Sequence, residues 1–277
     1  MIDKQDKNYI NLLEEISLNA WPSYKMELYD GWLIRYSYNY TYRTNSVQQV
    51  GVSCIPIDEK IAYCEKIYTD FHTPTIFKIS PLLDPSFDQA LEARNYAVRH
   101  RTETMIMEMK NFHGYQPDDV EYEFYGRNSS LPSNVSYDNG AIVQLADRIT
   151  NEWVTALFRL NGTTNPTLRR IVPSMYQAIP KETIVAKIEL DGRMVASGIG
   201  ILDRGHCGIY AIYVDPSCRR RHYARAIVST ILREAEKKGC THAYLQVVKD
   251  NVYAHRLYEN LGFTSFYEYW FREKKPE

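Results

Sequence analysis

The sequence has no excess of either charge, no long apolar run and no paired cysteines. Lysine and arginine total 33 against 34 aspartates and glutamates, a net charge of −1. Such a balance gives no bulk attraction to nucleic acid or to an anionic membrane surface, so neither is expected as a partner. No run reaches the roughly 18 apolar residues of a membrane-spanning helix, and no apolar segment follows a basic start. The five cysteines (Cys54, Cys64, Cys207, Cys218 and Cys240) are odd in number and form no C-x-x-C pair. That pattern speaks against a disulfide framework and against a zinc site. The expectation is a cytoplasmic protein with reduced thiols and no metal. At 277 residues, 44% of them hydrophobic, the chain can build one large domain or two ordinary ones.

The chain is organised around Cys207–Ala226, CGIYAIYVDPSCRRRHYARA. An apolar strand-like run stops at Asp215-Pro216. Arg219, Arg220, Arg221 and Arg225 follow, and a helical pattern starts at about Tyr223. Strand, basic turn and helix N-terminus in that order make an anion site, because first-turn N–H groups lack intrahelical partners and the helix dipole favours negative charge. A solvated basic face is the plainer reading of the same arginines.

A second stretch, Asn251–Phe263 (NVYAHRLYENLGF), reads as a helix capped by Asn251 and ended by Gly262. Ala243–Val248 before it reads as a buried strand. The order is strand, basic turn, helix, strand, helix, strand.

These residues resemble the GNAT superfamily of acyl-CoA-dependent N-acetyltransferases. Its later motif, Asn-x-x-Ala-x-x-Leu-Tyr-x-x-Leu-Gly-Phe, is matched at Asn251, Ala254, Leu257, Tyr258, Leu261, Gly262 and Phe263. Its cofactor turn, Arg/Gln-x-x-Gly-x-Gly/Ala after Val-x-Pro, is matched in part by Val214-Asp-Pro216 and Arg219–Ala224, with His222 where the family usually has glycine. The resemblance covers residues 117–277 strongly and the N-terminal part weakly. It implies a co-substrate, acetyl-CoA, lying against Ile212 and Val214. Arg219, Arg220, Arg221, His222, Tyr223, Ala224 and Arg225 would hold its phosphates, and Asn251 would contact it while capping its helix. Tyr258 matches the family tyrosine that protonates the leaving thiolate. No carboxylate lies between Cys207 and Val214, so the base is undetermined. Tyr210 and His206 are candidates, with Glu189 and Asp203 behind them.

The N-terminal half also alternates strand and helix. Residues 2–18 are expected as a helix, Glu27–Tyr36 and Tyr38–Val52 as strand regions, Asp58–Phe71 and Pro85–Arg94 as helices, and Thr75–Ile79 and Thr102–Met109 as strands. The polar cluster YRTNSV (Tyr42–Val47) reads either as a cleft lining or as a polar sheet face or turn. Leu91–Met109 echoes Tyr258–Phe271, by chance or because the N-terminal half is a degenerate copy of the same fold that has lost cofactor binding. The linker is placed at Asn111–Asp119, with units at 1–116 and 117–277. Ile142–Leu160 and Asn165–Ala178 are expected as helices, a pair that the resemblance places over the acceptor site. Asp191-Gly192 joins two strands as a tight hairpin, and Gly198 and Gly200 within a strand signal a bulge.

The expected fold class is α/β (α+β), a mixed, mostly antiparallel sheet flanked by helices, in two units. The expected function is transfer of an acetyl group from acetyl-CoA to a primary amine on a small molecule, protein or peptide. A non-catalytic acyl-CoA-binding or partner-docking protein of the same fold is the alternative. The residues leave monomer and homodimer both open.

Overall fold

The computed structural model describes residues 6–113, 120–123, 132–137 and 140–276. The N-terminal half runs α1 (Lys7–Ala20), β1 (Lys25–Tyr29), β2 (Trp32–Tyr36), β3 (Val47–Gln49), α2 (Ile57–Asp70), β4 (Thr75–Ile79), α3 (Pro85–Ala93) and β5 (Ala97–Glu108). The C-terminal half runs β6 (Val120–Glu123), β7 (Asn134–Tyr137), β8 (Ile142–Ala146), α4 (Asn151–Asn161), α5 (Pro166–Gln177), β9 (Glu182–Leu190), β10 (Arg193–Asp203), β11 (His206–Val214), α6 (Tyr223–Lys237), β12 (His242–Val248), α7 (Val252–Asn260) and β13 (Thr264–Lys274). Short polar side chains start most of the helices. Asp6, Asp84, Thr150, Asn165 and Asn251 each accept a first-turn N–H, and Pro85 and Pro166 open α3 and α5. Among the described residues no helix is long and apolar enough to cross a membrane.

The described strands join in one 13-stranded sheet, ordered β1-β2-β3-β4-β13-β5-β12-β11-β10-β9-β8-β7-β6. It is mixed and mostly antiparallel. Helices α2, α3, α6 and α7 cover one face, and α1, α4 and α5 the other. The order β-β-β-α-β-α-β occurs twice, as β1 to β5 and as β9 to β13. In both, the third strand pairs with the fourth in parallel, β3 with β4 and β11 with β12. The last strand of each series lies inside the other: β13 pairs with β4, β5 pairs with β12, and the two pair with each other.

The echo between Leu91–Met109 and Tyr258–Phe271 has a structural counterpart. Tyr96 N donates to Leu91 O across a left-handed Asn95 (φ 63°), and Phe263 N donates to Tyr258 O across Gly262 (φ 103°), both at 3.0 Å. The boundary expected at 116/117 lies outside the described residues, as do 114–119 of the linker.

Three expectations need correction. Ile142–Ala146 is strand β8, not the start of a helix. Its side chains alternate, Ile142 exposed and Val143 buried, and it pairs with β9. Pairing to a sheet edge overrides an apolar run that could serve either structure. Tyr38–Val52 is mostly a turn, with a 3₁₀ segment at Tyr42–Thr44 capped by Thr41 and only the short β3 after it. Strand β5 begins at Ala97, before the expected start at Thr102, because it is zipped to β13 as far as Ala97.

Two consequences are testable. A fragment of residues 117–277 alone would lack β5 and leave β12 and β13 with unpaired edges. It is expected to be insoluble or to unfold without cooperativity in circular dichroism, and a monomeric, cooperatively folding fragment would contradict the shared pair. At Gly262 an added Cβ would overlap the Asn111 main-chain oxygen, on top of the positive φ. Gly262→Ala is expected to cost about 2–4 kcal/mol in denaturant unfolding.

Candidate active site

β11 and β12 pair in parallel from His206–His242 to Ile209–Leu245 and no further. β12 continues against β5 to Val248, and β11 continues against β10 to Val214. The two strands therefore part, and a wedge opens between Tyr210–Val214 and Gln246–Val248. A β-bulge causes the divergence. Ser197 faces Tyr213 and Ile199 faces Tyr210, so Gly198 stands opposite two residues, Ala211 and Ile212. Ala211 takes a left-handed φ of 51°, and Ser197 Oγ donates to its oxygen at 2.9 Å. A Cβ at Gly198 would overlap Ile227 and Ile212, so glycine here also lets α6 pack down. Main-chain groups of β11 that β12 has left are available to an extended ligand.

The turn after β11 leads into α6 at the open end of the wedge. Asp215 caps it, accepting from Ser217 N at 2.9 Å and pairing with Arg193. Arg220 (φ 62°) and His222 (φ 60°) are both left-handed. His222 is the N-cap of α6 and makes no side-chain cap, and the first helix bond runs from Ala226 N to His222 O. The first-turn N–H groups thus face outward with the helix dipole behind them. Arg219, Arg220, Arg221 and His222 are exposed, while Tyr223 is buried and anchors the turn in the core. Ala224 and Arg225 are half-buried, and Arg225 Nη2 donates to His113 O at 3.2 Å. Ile212 and Val214 pack against the edge of the same core. Large apolar side chains are exposed around the mouth: Tyr213, Val248, Val252 and Tyr253.

Asn251 caps α7, accepting from Ala254 N at 3.2 Å. Two turns on, Tyr258 is 8% exposed and meets Phe263 edge-on. Burial pushes the Tyr258 phenol up to about 12, against the pull of the Arg43 guanidinium, so it is protonated at neutral pH. Tyr210, the first β11 residue past the last pair with β12, bonds the Tyr244 hydroxyl at 2.9 Å and lies parallel to the Trp21 ring at 6.5 Å. Burial raises its phenol too. Tyr40 and Tyr176, which share a hydrogen bond, continue this aromatic wall from Trp21.

His206 is not brought to the wedge. It begins β11, at the far end from the opening, and both ring nitrogens are engaged, Nδ1 with Arg204 O at 2.8 Å and Nε2 with the Tyr9 hydroxyl at 3.0 Å. Burial lowers its pKa. Asp203 is held by Asn19 and Lys181, and Glu189 by Lys187. The residue that sequence reasoning missed is Arg43. Its neighbours Thr44, Asn45 and Ser46 are fully buried, and Asn45 Oδ1 accepts from Ser37 N and Asn39 N. The polar cluster is a turn scaffold, and Arg43 projects from it to reach Gln246 O on β12 at 3.2 Å. A lone arginine in a polar run gave only the hint that this cluster might face a cleft.

The acetyltransferase (GNAT) family model matches residues 148–263. The chain is 21% identical to an uncharacterized N-acetyltransferase, YobR, of Bacillus subtilis over 267 residues, covering 96% of this chain and 99% of that one. Over 74 residues it is 34% identical to the ribosomal protein bS18-alanine N-acetyltransferase of Escherichia coli, covering 27% of this chain and 50% of the relative. Among solved structures, a GCN5-related N-acetyltransferase from Kribbella flavida superposes with a TM-score of 0.61 at 14% identity over 96% of both chains. A tandem GNAT protein from the clavulanic acid biosynthesis pathway gives 0.57 at 12% identity over 84% of this chain and 76% of that one. The wedge, the turn and the capped helix with its tyrosine all fall within or at the border of the matched region, and residues 148–263 form a GNAT acetyltransferase domain.

Proposed function

We propose that the protein transfers an acetyl group from acetyl-CoA to a primary amine, with the reaction centred in the wedge between β11 and β12. One observation carries this reading: the unpaired main chain of β11, the open N-terminus of α6 and the Tyr258 phenol gather at one end of the sheet. The left-handed Arg220 and His222 give the turn a backbone that glycine would otherwise supply, and the apolar mouth suits a pantetheine arm. The residues present therefore fit the group. Arg219, Arg220 and the first turn of α6 would hold its phosphates, and Ile212 and Val214 its amides.

Bound acetyl-CoA supplies a thioester, whose C–S bond breaks as the amine nitrogen bonds to the carbonyl carbon, the electron pair going to sulfur. Tyr258 gives that sulfur its proton and regains one from solvent. The amine's own proton goes to water, since no carboxylate stands on β11. The lack of that carboxylate favours the second reading, a non-catalytic acyl-CoA-binding protein, and turnover separates the two. The relative named for the alanine of a ribosomal protein makes peptide α-amines acceptors to screen beside small amines.

Calorimetric titration is expected to show one equivalent of acetyl-CoA bound. Arg219→Ala with Arg220→Ala should weaken it about tenfold or more, while Tyr258→Phe keeps binding and loses about 100-fold in kcat. A folded protein that binds no acetyl-CoA would sink this reading. His222→Gly removes a left-handed strain of about 1 kcal/mol that is present without ligand, but it frees the unliganded turn and is expected to weaken acetyl-CoA several-fold in the same titration. Because the Tyr258 pKa is raised to about 12, its acid form persists as pH rises while more of the amine becomes neutral. Activity should therefore climb to pH 10 without an alkaline fall; a falling limb near pH 8–9 that vanishes in Tyr258→Phe would contradict the raised pKa, and a Tyr258→Phe variant with undiminished kcat would count against Tyr258 as the acid.

A further inference from the structure

The N-terminal half repeats the strand and helix order of the catalytic half, yet its own chemistry at the equivalent places is cancelled. The Asp30 carboxylate already accepts from Cys54 N and Ile55 N, at 3.0 and 2.9 Å, just before α2. Asp58 and Glu59 occupy the first turn of α2, where a phosphate would be repelled. Leu91 stands at the counterpart of Tyr258. This half brings one cation to the other half's wedge.

Arg43 is fixed from several sides. Arg35 Nη1 donates to its main-chain oxygen at 2.7 Å. Arg43 Nε donates to the Tyr269 hydroxyl on β13 at 3.0 Å, and Nη2 to Gln246 O at 3.2 Å. Gln246 is the first β12 residue past the last pair with β11, so the guanidinium sits where the strands separate. Its charge acts on both phenols of the site, Tyr210 and Tyr258. Among the described residues no protein group is bonded to its Nη1.

We propose that Arg43, carried by the N-terminal half, is a positioning residue for acetyl transfer in the C-terminal half, holding the open edge of β12 and stabilising the phenolate that Tyr258 becomes when it gives up its proton. The proposal rests on the acid role assigned above to Tyr258. A positive charge at this place makes the phenol a stronger acid without touching the co-substrate's phosphates, and a nearby charge in a poorly hydrated site acts at little reorganisation cost. It also gives the non-binding half a reason to stay joined to the catalytic one.

The test uses the full chain and two substitutions. Arg43→Gln keeps donors for Gln246 O and Tyr269 but removes the charge, and Arg43→Lys keeps the charge. The protein is labelled with a polyfluorinated tyrosine, whose ring fluorines bring the phenol's titration down into a range where the fold persists, and the Tyr258 resonance is assigned by its loss in Tyr258→Phe. In fluorine NMR its titration is expected to move up by about one pH unit in Arg43→Gln and to stay near wild type in Arg43→Lys. With an amine that wild type acetylates, kcat should fall about tenfold in Arg43→Gln with the acetyl-CoA KM unchanged, and recover in Arg43→Lys. A Tyr258 titration unmoved in a folded Arg43→Gln overturns the proposal, as does an equal loss in both variants. Should Arg43→Gln not fold, Arg43→Met is titrated against Arg43→Lys with the same two outcomes. The titration needs no acceptor, so a failure to find acetyl transfer leaves this result standing apart.

Discussion

Main-chain pairing between β5 and β13 is the constraint on which the rest of the molecule depends. Each strand ends one series of elements and completes the sheet of the other, so neither series has a closed sheet by itself. Ion pairs fasten β13 to the N-terminal helices: Arg272 reaches both Asp88 carboxylate oxygens at 2.8 Å, and Lys274 meets Glu65 at 3.0 Å. On the other face Tyr267, Tyr269 and Phe271 pack with α1 and the α4–α5 pair in one core. The wedge follows from this arrangement. β12 can be left by β11 and stay a strand only because β5 continues to hold it as far as Val248. The strand that fixes the cleft therefore comes from the half that lacks the cleft's chemistry.

The two series differ where chemistry would sit. In the N-terminal one, Lys78 pairs with Glu14 at 2.5 Å and Tyr267 donates to the same carboxylate at 2.6 Å. These groups stand where the end of β3 leaves β4, and the space that remains there is a cavity of about 60 Å³. A buried carboxylate with both an ammonium and a phenol on it is satisfied and immobile. In the C-terminal series the equivalent space is bordered by the Tyr210 and Tyr258 phenols, and its rim is apolar and exposed. A single fold thus carries one plugged and one open wedge.

Much of this was legible in the residues. Asn251, Gly262 and Phe263 act locally, through a cap, a left-handed turn and the start of a strand, so their spacing was enough to place α7 and Tyr258. The hairpin at Asp191-Gly192 and the bulge at Gly198 were readable for the same reason, whereas Gly200, which carries the same signal, pairs regularly with Ile209 and instead makes room for Ile231 of α6. What could not be read depends on contacts between residues far apart in the chain. β8 is a strand because β9 is beside it. Arg43 reaches Gln246 across 203 positions, and nothing near Tyr42-Arg43-Thr44 announces that. His206 titrates in a useful range by residue type, but only the structure shows it closed off by Tyr9 and Arg204. The exchange of β5 and β13 was hidden because either order of strands has the same alternation of elements.

The backbone of the site carries its own argument. Ala211, Arg220 and His222 all have positive φ, between 51° and 62°, although each has a Cβ that disfavours it by roughly 1–2 kcal/mol. Elsewhere in the chain several such residues sit at hairpin tips, as Asp30 and Asp191 do before glycine. These three instead line the bulge and the turn that bound the wedge. They persist because their neighbours leave no choice: Ser197 holds the Ala211 oxygen, Asp215 fixes the start of the turn, and the buried Cys218 and Tyr223 pin its two ends. Strain that the surroundings over-determine in this way clusters where a ligand must find a shape already made. Glycine at these places would relax the strain but would also free the unfolded and unliganded chain. Residues with side chains keep the turn in one form without ligand, which would lower the ordering cost of binding a phosphate there.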